Sequence, residues 1–259
     1  MTITFITGAN KGLGRETARR LIELGHTVLI GARDPQRGTE AAATLGARFV
    51  QIDVTDDVSV AAAAADVAEH EGTIDVLINN AGIPGPIGDP STLTGTEALK
   101  IFDVNVIGAV RVTTAFLPLL RRSPDPVIIN VSSGMGSLAL THDPSRPESK
   151  VIAPLYTASK AALTMLTTQY AKALTDIRIN AADPGHTATD LTDLTDLTDL
   201  TRLTDLTDHT DHTDHTDLTD HSGPQTITEG TDAIVHLATE KPGAPSGRLL
   251  NRHGETTWS

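Results

Sequence analysis

Residues 3–14, Ile3-Thr4-Phe5-Ile6-Thr7-Gly8-Ala9-Asn10-Lys11-Gly12-Leu13-Gly14, decide the fold. The first four form a short apolar run of β type. The next eight carry three glycines and open a helical pattern that reaches Leu24 and stops at Gly25. Glycine permits positive φ and close backbone approach. Free N–H groups and the dipole at a helix start suit a pyrophosphate. A strand, a glycine turn and a helix in that order predict a nucleotide-binding βα unit.

Working outward, the same alternation recurs along the chain. Further strands are expected at 27–30, 48–52, 75–78, 126–131 and 177–182, with a last one near 248–250. Helical patterns cover 35–45, 56–71, 96–122, 156–174 and 227–238, and 135–154 reads as irregular. The strands are apolar runs without period-two alternation, as expected where both faces are buried. This predicts an α/β fold with a doubly wound parallel sheet, in one domain spanning 1–259. Polar and glycine-rich segments follow the strands, at the carboxyl ends where such sheets bind ligands.

Composition narrows the function classes. The chain has 259 residues and no Cys, which excludes a thiol nucleophile, a disulfide framework and Cys-ligated metal. No basic patch points to nucleic acid. No uninterrupted apolar run approaches the ~20 residues that span a bilayer. The N-terminus lacks the basic and apolar regions of a signal peptide. The expectation is a cytoplasmic protein without nucleic-acid or membrane partners.

The net charge of −13 is concentrated in one place. Residues 189–221 repeat Thr-Asp-Leu or Thr-Asp-His with a period of three, and ten Asp against Arg202 give that stretch −9. A helix turns about 100° per residue, so this period builds no lasting apolar face. Asp three apart also repel on a helix. The repeat reads as an in-frame expansion without a fixed fold. Cation binding by its Asp, with His209, His212, His215 and His221 as soft-metal ligands, is the alternative. No metal is assigned to the candidate site.

Tyr156-Thr157-Ala158-Ser159-Lys160 opens the helix at 156–174. Residues four apart share a helix face. A neighbouring ammonium favours the phenolate, so Lys160 is expected to lower the Tyr156 pKa and make it a proton donor near neutral pH. Arg33 lies just past the second strand, where a dinucleotide's adenosine ribose would sit. An Arg there accommodates a 2′-phosphate, although Asp34 follows it. Lys11 adds a cation on the same side. Asp53 ends the third strand and either accepts from an adenine amino group or caps the following turn.

The motif 7–14, Asp53-Val54, Asn79-Asn80-Ala81-Gly82, Asn105, Ser133, Tyr156-Thr157-Ala158-Ser159-Lys160 and Pro184-Gly185 occur in order. In this the chain resembles the classical short-chain dehydrogenases/reductases. The Asn10-Lys11 pair and the Ala32-Arg33-Asp34 run are similar to carbonyl-reductase-like members. The resemblance implies a catalytic tetrad of Asn105, Ser133, Tyr156 and Lys160. Tyr156 would be the acid/base and Lys160 would hold the nicotinamide ribose. Ser133 would bond the substrate oxygen, and Asn105 would hold a relay water. It implies NADP(H) contacts from Gly8, Asn10, Lys11, Gly12, Leu13, Arg33, Asp53, Val54, Asn80, Ala81, Gly82, Tyr156, Lys160, Pro184, Gly185, Thr187 and Thr189.

The implied reaction is NADP-dependent reduction of a ketone or aldehyde carbonyl on a small molecule, with Tyr156 as proton donor. Two alternatives stay open: an NADPH-binding sensor with altered or lost chemistry, and another oxidoreduction such as that of a quinone or polyketide. Leu138, Leu140, Ile152, Pro154 and Leu155 suggest an apolar site wall. Residues 141–153 lengthen the segment between Ser133 and Tyr156, over the site or across a face many members use to form a homo-oligomer. The repeat begins where the family's substrate loop starts.

Overall fold

A computed structural model describes residues 1–187 and 225–258. In chain order the elements are β1 (Ile3–Thr7), α1 (Gly12–Glu23), β2 (Thr27–Ala32), α2 (Pro35–Leu45), β3 (Arg48–Gln51), α3 (Asp57–His70) and β4 (Val76–Asn79). There follow α4 (Gly95–Phe102), α5 (Gly108–Leu120), β5 (Val127–Val131), α6 (Leu138–His142), α7 (Pro154–Ala173) and β6 (Arg178–Ala182). The described chain ends with α8 (Ile227–Gly230), α9 (Asp232–Thr239), β7 (Leu249–Asn251) and β8 (Gly254–Thr256).

The strands form one sheet in the order β3-β2-β1-β4-β5-β6-β7-β8, parallel except for β7 against β8. The order reverses between β1 and β4. Their carboxyl ends therefore open the crevice where doubly wound sheets bind ligands.

Neighbouring residues on each strand face opposite layers. Ile6, Ile30, Ile78 and Ile129 pack on one face with Leu21 of α1 and Ile234 and Leu237 of α9. Phe5, Leu29, Leu77 and Ile128 pack on the other with Val60 and Val67 of α3 and Phe116 of α5. The Phe5 and Phe116 rings sit 4.5 Å apart. Burial on both faces is why these strands read as continuous apolar runs.

Several local expectations change. The segment 96–122 is not one α-helix. Thr94 caps α4 in a reciprocal box with Glu97, and a π-helical turn at Asp103–Ile107 joins α4 to α5. The combined Gly95–Leu120 run is long and apolar enough by composition to cross a membrane, which short apolar runs had not suggested. Its Val112, Phe116, Leu119 and Leu120 fill the core instead. Within 135–154, α6 and two 3-10 turns are ordered. α7 starts at Pro154, two residues before Tyr156, because a proline lacks the N–H that a first turn leaves unpaired anyway. The helix expected at 227–238 breaks at Thr231, and β8 closes a hairpin that the chain pattern did not announce. The repeat at 189–221, with its four named histidines, lies outside the described residues.

Candidate active site

The glycine turn ends β1 and starts α1. Gly8 has φ 65°. A Cβ on Gly14 would lie 2.5 Å from Asn80 Nδ2 and 2.8 Å from the Gly8 carbonyl oxygen, so only glycine fits that approach. Asn80 Nδ2 donates to the carbonyls of Thr7 (2.8 Å) and Gly8 (3.2 Å). Thr7 Oγ1 accepts from the N–H groups of Asn80 and Ala81, each at 3.0 Å. The end of β4 thus braces the turn. Lys11 precedes α1 without capping it through its side chain, and the first helical turn holds no acidic residue. Asn10, Lys11, Gly12 and Leu13 therefore border a helix start suited to an anion.

At the β2 end, Arg33 is exposed beyond the strand. Asp34 is committed to the N-terminus of α2, accepting from the N–H groups of Gln36 (2.9 Å) and Arg37 (3.0 Å). The acidic neighbour is thereby turned toward the helix start as a cap, beside exposed Arg33. Asp53 Oδ1 accepts from Thr55 N (3.0 Å) and Thr55 Oγ1 (2.7 Å), the turn-capping use foreseen as one of two. Burial opposes its ionisation, yet the Thr55 donors, Arg33 and Arg111 hold its carboxyl below the usual range. Val54 is buried under the start of α5, where a Cβ on Gly108 would touch it at 3.0 Å.

The four tetrad residues come from three places in the chain, with Tyr156 and Lys160 both on α7, and meet at the carboxyl ends of β4 and β5. Ser133 follows β5; its hydroxyl accepts from Met135 N at 3.2 Å and stands near enough to the Tyr156 phenol to pull its pKa down. Its partner Ser132 is structural: it is 2 % exposed and meets Thr164 Oγ1 at 2.7 Å. Lys160 is 4 % exposed, with Nζ donating to the Val131 carbonyl at 2.8 Å and lying 5.6 Å from the Tyr156 ring centroid. Asn105 sits in the π-helical turn and is buried. Its Oδ1 accepts from Ile83 N (2.8 Å), while Nδ2 donates to Ile83 O (2.9 Å) and Ser159 Oγ (3.0 Å). Both donors are spent, so a water at Asn105 would have to donate to one of its oxygens. Gly82 borders this spot: a Cβ there would be 3.4 Å from Asn105 Oδ1 and 3.6 Å from Lys160 Nζ.

The direction expected for Tyr156 is corrected. Burial pushes the phenol above its ordinary value; the Ser133 hydrogen bond pulls it down, and the Asp183 carboxylate pushes it further up. Lys160 is itself lowered by burial, to about 8. Desolvation outweighs the pairing that residue spacing suggested.

After β6, Pro184 and Gly185 form a turn in which Gly185 N donates to Asp183 Oδ1 at 2.9 Å. Thr187 is buried, donates to the Pro184 carbonyl at 2.9 Å, and pairs with Gln225. A Cβ on Gly230 would strike both Thr187 and Leu13, so this loop reaches the glycine turn. Thr189 lies outside the described residues. Of the expected apolar wall, Leu140 is buried in the packing of α6, and Leu138 and Ile152 are exposed.

Asn79, expected to support the central strand, does so through a second layer whose other members, Thr113, Asn130 and Thr167, residue patterns missed. Asn79 Nδ2 donates to Thr113 Oγ1 (3.0 Å) and Asn130 Oδ1 (2.9 Å), and Asn130 Nδ2 donates to Thr167 Oγ1 (2.8 Å). Asn79 and Asn130 are register partners on β4 and β5. A polar residue inside Val-Ile-Ile-Asn-Val was the visible signal. Asp183 was also missed, although it immediately precedes Pro184-Gly185.

The family model described as short chain dehydrogenase matches residues 2–199. A short-chain dehydrogenase, anuI, of Penicillium roqueforti (strain FM164) is 36 % identical over 201 residues, 73 % of this chain and 79 % of that one. A (+)-neomenthol dehydrogenase of Arabidopsis thaliana is 31 % identical over 245 residues, covering 72 % and 83 %. The structure of salutaridine reductase from Papaver somniferum superposes with a TM-score of 0.77 at 23 % identity, over 96 % of this chain and 99 % of that one.

Proposed function

We propose that this chain, which belongs to the classical short-chain dehydrogenase/reductase family, is a carbonyl-reductase-like enzyme that uses NADP(H) to reduce a ketone or aldehyde. The carrying observation is buried Lys160 beside the Tyr156 ring, with Ser133 at the end of the adjoining strand and Asn105 clasped nearby. Membership makes the chain an oxidoreductase of the nicotinamide-dependent kind. A relative named for neomenthol dehydrogenation supports an alcohol–carbonyl couple.

The residues present fit the cofactor. The cradle around Gly8 and Gly14 leaves no room for side chains, and the α1 start favours a pyrophosphate next to Asn10, Lys11, Gly12 and Leu13. Arg33, freed from competition by the capping role of Asp34, would take a 2′-phosphate. Asp53 and Val54 would border the adenine, and Asn80, Ala81 and Gly82 the middle of the cofactor. Pro184, Gly185 and Thr187, with Thr189, would hold the nicotinamide end. When bound, the cofactor supplies the hydride.

The chain's own residues manage the proton. Tyr156, raised by burial, stays protonated near neutral pH and is ready to donate from its hydroxyl oxygen. Ser133 orients that hydroxyl and can donate to the developing alkoxide. Lys160 would contact the ribose and, with an oxygen of Asn105, lead the replacement proton in from solvent.

A panel of ketones and aldehydes, assayed separately with NADPH and NADH, tests the reading. NADPH-dependent turnover that Tyr156→Phe lowers roughly 10²–10⁴-fold is expected. NADPH binding without turnover on any carbonyl would favour a sensor instead, and full activity in Tyr156→Phe would remove Tyr156 from its role.

A further inference from the structure

Ser159 stands between Tyr156 and Lys160 in the chain and is fully buried. Its hydroxyl has one hydrogen, which goes to the Tyr156 carbonyl at 2.7 Å. Ser159 Oγ is left with lone pairs to offer. Asn105 meets them with the end of its amide that suits them, donating from Nδ2 at 3.0 Å. The other Nδ2 hydrogen goes to the Ile83 carbonyl at 2.9 Å, and Oδ1 accepts from Ile83 N at 2.8 Å. The loop after β4, the π-helical turn and α7 are thereby joined in a closed circuit. Gly85, two residues beyond Ile83, completes it by lying on α7: a Cβ there would be 3.4 Å from Tyr156 N and 2.8 Å from Ile101 Cδ1.

The geometry points to Ser159 as a positioning residue that pins Asn105 to the helical turn carrying Tyr156 and Lys160. The inference rests on the tetrad reading above, in which Asn105 helps return a proton by way of Lys160. Ile83 already settles which way the Asn105 amide faces, because its N–H needs Oδ1 and its carbonyl needs Nδ2. It does not settle how far the amide sits from α7, since Ile83 and Asn105 both belong to other segments. Ser159 supplies that tie. The tie matters because a relay works only while its members stay within hydrogen-bond reach, roughly 2.6–3.2 Å or one water apart. Gly82 keeps the relay side open: one point beside its Cα is 3.4 Å from Asn105 Oδ1 and 3.6 Å from Lys160 Nζ. Being fully buried, Ser159 reaches neither substrate nor cofactor and acts through Asn105.

The test uses Ser159→Ala, Asn105→Ala and the double variant in the full chain, read two ways. The first is steady-state carbonyl reduction with NADPH. Ser159→Ala is expected to lower kcat roughly 2–10-fold, the worth of one hydrogen bond, with KM for both substrates unchanged. An unchanged kcat, or a loss carried by KM, would overturn the proposal. Because Ser159 acts through Asn105, the double variant should be no slower than Asn105→Ala. Losses that multiply are what a separate structural effect gives, and they refute the tie. The second reading needs neither substrate nor cofactor: urea unfolding midpoints of the wild type and the three variants. The double variant should lose less than the two single losses together, since the bond is gone once either partner is removed. Additive losses would show that the bond does not form, and the proposal falls with it. An inactive wild type would defeat the reductase reading, and the unfolding cycle then decides this proposal by itself. If circular dichroism shows Asn105→Ala unfolded, Asn105→Leu takes its place in both cycles.

Discussion

Lys160→Met isolates what it costs to bury a cation in the site. Lys160 is 4 % exposed, and burial lowers its ammonium from 10.5 to about 8. One pKa unit corresponds to about 1.4 kcal/mol, so the folded state bears about 3 kcal/mol against the fully charged form. The folded value lies below the unfolded one, and the unfolded chain therefore binds more protons between pH 8 and 10.5. Stability rises with pH across that window, and the cost is fully present below it. Tyr156 and Asp183 carry shifts of their own. They are present in both proteins and drop out of the difference to first order. Losing the Nζ donor leaves the Val131 carbonyl unpaired, a pH-independent cost of ~1–3 kcal/mol that displaces the difference without tilting it. The assay is urea unfolding of both proteins, without cofactor, from about pH 7 to about pH 11. Wild type should gain about 3 kcal/mol on the variant over that range. A flat difference refutes the buried-cation account, and with it the claim that desolvation dominates this site.

Arg33→Ala should weaken NADPH binding by roughly 10–100-fold, the worth of a charged hydrogen bond, and leave NADH unchanged. Fluorescence titration with each cofactor reads it, and equal effects on both would displace the 2′-phosphate from Arg33. Gly14→Ala places a Cβ 2.5 Å from Asn80 Nδ2 and 2.8 Å from a backbone oxygen that cannot retreat. Overpacking of ~1–3 kcal/mol should lower the melting temperature by several degrees and loosen NADPH binding. A melt identical to wild type would mean the turn is not as tight as drawn.

The strand–turn–helix alternation was legible because sheet and helix periods are local properties of the chain. Boundaries of β1, β2, β3, β5 and β6 fall within two residues of where the apolar runs place them. The π-helical turn at Asp103–Ile107 was hidden because its residues are as helix-compatible as their neighbours; the widened turn shows only once Asn105 is seen clasping Ile83. Asp34 read as a rival to Arg33 until the start of α2 absorbed it. β8 is three residues long and, among the described residues, pairs with β7 alone, too short to leave a pattern.

By itself the sequence determined the doubly wound class, the glycine turn and the roster of chemical groups, because these depend on residue type and spacing along a few turns or strands. It also placed Tyr156 and Lys160 on one helix face. Only the tertiary structure decided how that pair is charged. Their desolvation comes from packing against other elements, and the groups that bond or face them, Val131, Ser133 and Asp183, lie on other elements too. Burial is a sum over atoms that are distant in the chain, and here it outweighs the attraction that a four-residue spacing predicts. The meeting of Ile83, Asn105 and Ser159 has the same origin: no spacing along the chain records it, and the packing of the loop after β4 and of α7 against the π-helical turn creates it.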